Sequence, residues 1–431
     1  MLKILDCSCV SAPTVCAPCL VLRVGGMLAE VGFLRRALGL NAVIIDTFYQ
    51  QEVSQRILCL KPLLMQQYST AMNPLLAIPE TIPEMSDRAL HYPDIAPPSS
   101  GEWSAIAPGF YWLRMPLPFA LNHINLWLIR DHYDGREGYT LIDTGIHDAT
   151  TQQCWEGLIA QRLEGLPIIR VICTHLHPDH IGLAAWLCER FNCPLWMSAS
   201  EYGLGRLLSL GVPGTDTASL CQHFARHGMQ APARQAELQA RGEHFQRYVP
   251  TLPTSYIRIE AGQRLVIGGH HWRVLIGRGH SPEHVSLYCE DLALLIAGDM
   301  LLPRISTNLS VFALEPEANP IPQFLDSIAH YSELPATTLV LPAHGLPFQG
   351  MHTRIEQLKI HHALRLREVL AECATPQSAY SITASMFKRP LDAHQLTFAI
   401  GEALAHLHCL WQLGALRREQ DQHGQIRFVC Q

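Results

Sequence analysis

The chain is 431 residues long, 48% of them hydrophobic, with a formal net charge of −6. A chain of this length and apolar content can bury a large core and predicts two domains or more. The negative charge argues against a nucleic-acid coat protein or a polybasic membrane binder, and no apolar run reaches the roughly 18–20 residues that a membrane helix requires. Fourteen scattered cysteines predict reduced, mostly buried thiols, so we expect a soluble cytoplasmic protein.

The first 71 residues differ from the rest in composition. They contain five of the fourteen cysteines and none of the 23 histidines. The spacings Cys7-x-Cys9 and Cys16-x-x-Cys19 are compatible with a small zinc site. The favoured interpretation is a weakly structured extension, or a start codon assigned upstream of the true initiator Met72. A secretory signal is disfavoured because Asp6 interrupts the region where its apolar core should begin. We expect a chain starting at Met72 to fold and bind metal normally.

Residues 72–107 are rich in Pro, Ser and Glu, which is typical of a linker or an edge segment. The folded core is predicted from about residue 108, with strands near 109–114, 122–129 and 139–142. The last of these strands leads into Asp143. Amphipathic helices are predicted over 150–163 and 181–191, where apolar positions recur at helical spacing.

Four candidate metal ligands follow the apolar run 166–173. His175, His177, Asp179 and His180 place three imidazoles and a carboxylate within six residues. Alternate residues of an extended segment share a face, so His175 and His177 can point at one ion. A turn at Pro178 would direct Asp179 and His180 toward a neighbouring ion. Imidazole and carboxylate ligands suit zinc, manganese or iron.

Three later apolar runs each end in one more candidate ligand. His280 follows 272–275, Asp299 follows 292–298, and His344 follows 338–343. The alternative is a histidine-rich surface loop, but three further segments of the same kind argue against it. We expect the strands to deliver these ligands to a common edge of a sheet.

The sequence gives less information about the residues that surround this site. The helix-prone region 198–250 is either a lid over the groove or a solvated insertion. Arg304 lies in the loop after Asp299 and is a candidate for binding an anionic substrate group. Glu283 and His284 are candidate hydrogen-bond partners of the ligating imidazoles, or else surface positions of a helix.

The pattern changes after residue 350. Helices are predicted over 351–373 and 392–413, followed by a β-hairpin over 415–429, an order that resembles a small winged-helix domain. Residues 351–431 contain nine Lys and Arg against seven Asp and Glu, a net charge of +2. This is a weak electrostatic footprint for nucleic acid. A packing or dimerising role is therefore favoured, which is compatible with a homodimer.

Taken in order, Asp143, the histidine cluster, His280, Asp299 and His344 resemble the binuclear hydrolases of the metallo-β-lactamase fold superfamily. The resemblance covers roughly residues 108–350. It implies an α/β fold, an αββα sandwich, with two divalent metal ions in a groove along one sheet edge. It also implies that Asp143 is a structural residue near the metals, although an ordinary turn carboxylate is the alternative. The metal ligands that it implies are His175, His177 and His280 for the first ion, Asp179, His180 and His344 for the second, and Asp299 as the bridge.

These ligands predict hydrolysis. Two ions that share Asp299 can lower the pKa of a water from about 16 toward 7 and produce a metal-bound hydroxide, with Asp179 and Asp299 as the catalytic carboxylates. Zinc is the favoured metal, and iron or manganese are alternatives. The ligand pattern resembles glyoxalase II and predicts a small thioester or ester as substrate. After His344 the chain reads Gly345-Leu346-Pro347, where that family usually has Glu-Tyr-Thr, which counts against glutathione itself.

Other functions stay open. The domain order resembles β-lactamase-like endoribonucleases, and the histidine pattern is shared with mononuclear iron persulfide dioxygenases. A non-enzymatic protein with a vestigial site is disfavoured by the intact ligand set. True β-lactamase activity is disfavoured because zinc enzymes of that class typically have Cys at the position of Asp299. A flavodiiron reductase would have Glu in place of His177.

Overall fold

The computed structural model of the protein describes residues 74–79 and 85–431. The predictions for residues 1–71, including the two cysteine spacings and the start at Met72, lie outside the described residues. Two β-sheets pack face to face and helices cover their outer faces, so the predicted α/β sandwich is confirmed.

The first sheet has seven strands in sequential order. Strands β1 to β4 are antiparallel, whereas β4 to β7 pair in parallel. Its first strand begins at Trp103, before the predicted start of the core at residue 108. The strands are β1 (Trp103–Ala107), β2 (Phe110–Pro116), β3 (His123–Tyr133), β4 (Arg136–Ile142), β5 (Ile168–Ile172), β6 (Leu195–Met197) and β7 (Ile257–Arg258).

The second sheet has five strands in the order β12-β11-β10-β9-β8. Only β11 and β12 pair in parallel, and the other neighbours are antiparallel. It follows that β9, β11 and β12 run in the same direction. The strands are β8 (Arg264–Ile267), β9 (His270–Gly277), β10 (His284–Cys289), β11 (Leu294–Gly298) and β12 (Leu339–Pro342).

Strand β3 shows why the central strands are almost continuously apolar. Leu126 and Leu128 pack in the core between the first sheet and its helices, while Trp127 and Ile129 pack in the core between the two sheets. A strand that is buried on both faces cannot alternate apolar and polar residues. The long apolar runs in the sequence therefore mark strands in the middle of the sandwich.

Eleven α-helices lie within the described residues. Helices α1 and α3 pack on the first sheet, α4 to α7 occupy the region predicted as a lid, and α8 covers the second sheet. The helices are α1 (Ala149–Gln161), α2 (Pro178–Ile181), α3 (Ala184–Phe191), α4 (Ala199–Leu210), α5 (Thr217–Arg226), α6 (Pro232–Ala240), α7 (His244–Tyr248), α8 (Pro320–Ala329), α9 (Met351–Glu372), α10 (Ala379–Met386) and α11 (Ala393–Gln412).

The C-terminal region consists of α9, α10 and α11 followed by an antiparallel hairpin, β13 (Leu416–Gln420) and β14 (Ile426–Cys430). The predicted small C-terminal helical domain with a hairpin is confirmed. The described part of the segment 72–107 contacts α9, because Arg367 donates to the carbonyl of Leu76 and Gln357 donates to the carbonyl of Ser86.

The nine cysteines in the described residues are free thiols, and seven of them are buried. Within the same part of the chain, no helix combines the length and the apolar character needed to cross a membrane.

A buried ion pair within the first sheet is hydrogen-bonded to the second sheet. The guanidinium of Arg170 on β5 donates to Asp131 Oδ2 on β3 over 2.6 Å, and both side chains are only 2% exposed. Arg170 also donates to the carbonyl of Val266 on β8, and Asp131 accepts the backbone N–H of Gly268. Each charge thus has several partners, which offsets the cost of burying it.

We predict that Arg170→Ala lowers the free energy of unfolding by about 3–5 kcal/mol, because Asp131 is left buried and unpaired. Urea denaturation measures this change. The matched control is Arg162→Ala, which removes an ion pair with Glu102 whose two side chains are each 47% exposed. Solvent screens that pair, so little change is expected. Equal effects of the two substitutions would contradict a special role for the buried pair.

Candidate metal centre

The candidate ligands lie where strands end at one edge of the sandwich. Strand β5 leads into the segment of His175, and β9, β11 and β12 lead into His280, Asp299 and His344. Because these three strands run in the same direction, their carboxyl ends meet at the same edge. Together with the end of β5 in the first sheet, they gather side chains that are up to 169 positions apart in the sequence.

One group consists of three imidazoles and a carboxylate. His175 Nε2 lies 2.8 Å from His177 Nδ1 and 3.1 Å from His280 Nε2. His280 Nε2 lies 3.3 Å from Asp299 Oδ2. One donor atom from each of these four residues lies within 4.8 Å of the others, a spacing that can hold a metal ion.

A second group lies beside it. His344 Nε2 is 3.4 Å from Asp179 Oδ2, and His180 Nε2 is 3.6 Å from the same oxygen. Asp299 Oδ1 is 3.4 Å from His344 Nε2 and 3.6 Å from His180 Nε2. The two oxygens of Asp299 thus face the two groups separately. The structure brings together all seven predicted ligands.

The outer nitrogen of each central imidazole already has a partner. His180 Nδ1 lies 2.8 Å from Asp143 Oδ2, and the Nδ1 atoms of His280 and His344 lie 2.8 Å from the carbonyls of Asn308 and His123 respectively. Such partners set the tautomer and the ring orientation of a ligating histidine. The Nε2 atoms are left to face the interior of the site.

The electrostatics of the two groups differ. Burial and the neighbouring His280 lower the pKa of His177 to about 3, and burial and the other imidazoles hold the pKa of His175 well below its usual value. Burial alone would also lower the pKa of His180, but the carboxylates of Asp143, Asp179 and Asp299 raise it to about 10. His175 and His177 therefore offer neutral lone pairs, and the second group attracts positive charge.

Two atoms at the centre have no hydrogen-bond partner in the protein. His180 Nε2 and Asp299 Oδ1 are both buried and unpartnered. A buried polar atom without a partner costs about 1–3 kcal/mol, and more when the group is charged. Imidazole and carboxylate donors suit zinc and other divalent transition ions. The residues present therefore fit two divalent cations.

Asp143 supports both groups from behind. Its carboxylate accepts the backbone N–H and the hydroxyl of Thr174 and lies against His180 Nδ1. Its backbone adopts a φ of 60°, in the left-handed region that Asp tolerates better than most residues. This backbone conformation places the Asp143 side chain next to the loop that carries the histidine cluster.

His284 and Gly298 position Asp299. The backbone N–H of Asp299 donates to His284 Nε2 over 3.1 Å, and a Cβ at Gly298 would clash with that imidazole. Glu283 instead accepts a hydrogen bond from the Ser200 hydroxyl on α4. The His284 imidazole thus accepts its hydrogen bond from the backbone of Asp299, and its ring also lies 4.8 Å from that of His175 between centroids.

Glu201 on α4 is a supporting residue that was not among those predicted from the sequence. This buried carboxylate accepts the backbone N–H groups of Leu176 and Glu283, so it joins the histidine loop to the segment after His280. The available signal was its position shortly after the parallel strand β6, where functional side chains often lie.

Arg304 is exposed. A different cation, Arg241, lies in a wall formed by three separate segments. Arg241 donates to His394 Nδ1 over 2.9 Å, and the His394 ring stacks on Phe119 with 4.7 Å between ring centroids. His244 lies 4.9 Å from His394 between centroids. Helix α7, which carries His244, packs against α2, which carries Asp179 and His180.

The chain matches the family described as the metallo-beta-lactamase superfamily over residues 121–344, more than half of its length. The chain belongs to the metallo-beta-lactamase superfamily. All seven residues of the two groups lie within the matched range. Residues 366–431 match a second family, described as the metallo-beta-lactamase-like C-terminal domain, so the C-terminal helices also have counterparts in this superfamily.

Relatives of this superfamily member agree with the assignment. It is 48% identical to a beta-lactamase domain protein from Burkholderia ambifaria, with a TM-score of 0.76 over 80% of this chain and 99% of the other. A metallo-beta-lactamase family protein from Thermus thermophilus is 28% identical, with a TM-score of 0.65 over 76% of this chain and all of the other.

The probable metallo-hydrolase YqjP of Bacillus subtilis is 26% identical over 69% of this chain and 91% of its own length. The family and this relative together support the broad prediction, a metal-dependent hydrolase of the metallo-beta-lactamase superfamily.

For this metallo-beta-lactamase superfamily protein we predict that Asp143→Ala weakens metal binding by about 10–100-fold, because His180 and Thr174 lose the carboxylate that orients them. Competition with a chromophoric chelator measures the affinity. Asp148→Ala is the control, since Asp148 caps α1 and takes no part in either group. Unchanged affinity in Asp143→Ala would show that the orientation of His180 is set without this carboxylate.

Proposed function

We propose that the protein is a binuclear metal-dependent hydrolase that acts on a small thioester or ester. The observation that carries the proposal is the position of Asp299, whose two oxygens face two separate groups of ligand atoms. His175, His177 and His280 would hold one ion, Asp179, His180 and His344 the other, and Asp299 would contact both. Zinc suits these donors best, with iron or manganese as alternatives.

Two bound divalent cations supply an acidified water and polarise the bond under attack. The protein itself supplies the side chains that position the attacking water. The side chains of Asp179 and Asp299 are 19% and 12% exposed, whereas those of His180, His280 and His344 are at most 4% exposed. A water molecule can therefore reach both carboxylates, as it can the partly exposed His177. This supports Asp179 and Asp299 as the residues that orient the attacking water and accept its proton.

The wall formed by Phe119, Arg241, His244 and His394 supports a substrate with an anionic group. Burial lowers the pKa of Arg241 to about 10, a value at which the guanidinium is still charged at neutral pH. Its Nε atom is buried without a hydrogen-bond partner. Phe119 and the imidazole rings add a flat aromatic surface. We propose that Arg241 binds a carboxylate or phosphate of the substrate; a role for Arg304 in the same task stays a prediction.

We predict that Asp299→Ala lowers the metal held by these two groups from about two ions per chain and abolishes hydrolysis at the same time. Asp179→Ala should empty mainly the second site and leave close to one ion. Elemental analysis of the purified variants measures both effects, and Glu137→Ala on the exposed end of β4 is the control. Full activity in Asp299→Ala would remove the proposed mechanism.

The substrate class is tested with a paired assay on S-lactoylglutathione, acyl-CoA thioesters and a single-stranded RNA oligonucleotide. Thioester turnover that is lost in Asp299→Ala is the expected result. RNA cleavage without thioester turnover would overturn the thioester proposal and favour the endoribonuclease alternative.

We predict that Arg241→Met raises KM for an anionic thioester by about 10–100-fold, because a hydrogen bond to a charged group contributes about 1.5–3 kcal/mol. The kcat and the metal content should change little. Steady-state kinetics with an anionic and an uncharged substrate distinguish a loss of anion binding from a general loss of activity. Arg234→Met, at an exposed position paired with Glu237, is the control. An equal loss on both substrates would contradict an anion-binding role.

A further inference from the structure

A third group of ligand atoms lies at the opposite end of the second sheet. His270 begins β9, Cys289 ends β10, and Asp291 lies in the turn between β10 and β11. The candidate metal centre follows the other ends of β9 and β11. The length of the strands therefore separates the two locations, and the third group shares no residue with the first two.

The strand register explains why these side chains meet. Cys289 pairs with Trp272 across β9 and β10, so His270, two positions before Trp272, points to the same face as Cys289. Continuing the same antiparallel register places Asp291 opposite His270. The hairpin turn Gly268-Gly269, with both residues at positive φ, and the turn after Cys289 bring the two strand ends side by side.

The donor atoms are close enough to share one ion. One atom each from His270, Cys289 and Asp291 lies within 4.8 Å of the other two. His270 Nδ1 and Asp291 Oδ2 are 3.7 Å apart, too far for a direct hydrogen bond. The imidazole of His270 and the carboxylate of Asp291 thus face each other and leave room for an ion between them.

The surroundings of Cys289 act on its thiol in both directions. Burial and the carboxylate of Asp291 raise the pKa of this thiol, whereas the backbone N–H groups of Leu292 and Asp291 lower it. Backbone donors of this kind stabilise negative charge on sulfur. The side chains of His270 and Asp291 are 40% and 63% exposed, so an ion can enter from solvent and a water can complete its coordination.

We propose that His270, Cys289 and Asp291 bind a zinc ion that is separate from the catalytic centre. One thiolate, one imidazole and one carboxylate are the three ligand types that zinc accepts, and a water supplies the fourth position. The ion joins the β8–β9 hairpin to the β10–β11 turn. Because it binds the folded chain, it raises the stability of the second sheet in proportion to its occupancy.

Cobalt substitution tests this site without interference from the catalytic groups. The full-length protein is freed of metal with a chelator and titrated with Co²⁺. A thiolate ligand produces a charge-transfer absorption in the near ultraviolet, and none of the seven residues of the catalytic groups is a cysteine. We expect the band in the unchanged protein and in Asp299→Ala, and its loss in Cys289→Ser.

Two further variants keep the test decisive. His270→Ala alters a partly exposed side chain, and it should weaken Co²⁺ binding at this band at least tenfold while leaving hydrolysis unchanged. The double variant Cys16→Ser/Cys19→Ser should retain the band. Absence of the band in the unchanged protein, or its persistence in Cys289→Ser, would overturn the proposal. Since hydrolysis is assayed separately, failure here leaves the proposed function standing.

Discussion

The constraint on which the site depends is the burial of many ligand atoms around one carboxylate. Asp299 lies between two groups of imidazoles, and its Oδ1 and the facing His180 Nε2 are buried without hydrogen-bond partners. Buried polar atoms are normally satisfied, because leaving them unpaired costs free energy. The outer nitrogens of these histidines, in contrast, are held by Asp143 or by backbone carbonyls. The outer nitrogens thus have hydrogen-bond partners, whereas the atoms that face the centre of the site lack them. This is the pattern expected of a cation site.

The sandwich makes this arrangement rigid. Strands β9, β11 and β12 run in one direction, so their ends meet at one edge. The inter-sheet core and the buried pair of Arg170 and Asp131 fix the second sheet against the first. Positioning ligands from strand ends, rather than from a free loop, keeps the donor atoms in place before any ion binds. Glu201 extends the same support to the helical region, because it accepts backbone N–H groups from both sides of the site.

The C-terminal region, which matches a family of its own, also forms part of the surroundings of the site. Helix α11 carries His394, which contacts Arg241 before α7 and stacks on Phe119 from the loop after β2. Three distant segments thereby build one wall near the turn of Asp179. This contact gives the C-terminal domain a part in the proposed recognition of substrate, in addition to the packing role that its composition favoured.

The sequence by itself determined the superfamily, the α/β sandwich and the seven residues that the structure brings together. Four of these residues lie within six positions of one another, and each of the other three follows an apolar strand whose end is readable from the sequence. Only the tertiary structure decided which oxygen of Asp299 faces which group, that Asp143 and Glu201 brace the histidine loop, and that Arg241, rather than the exposed Arg304, lies in the wall. These facts depend on contacts between segments far apart in the chain, and periodicity carries no information about such contacts. The pairing of His270 with Asp291 has the same origin, because strand register is set by packing across the sheet.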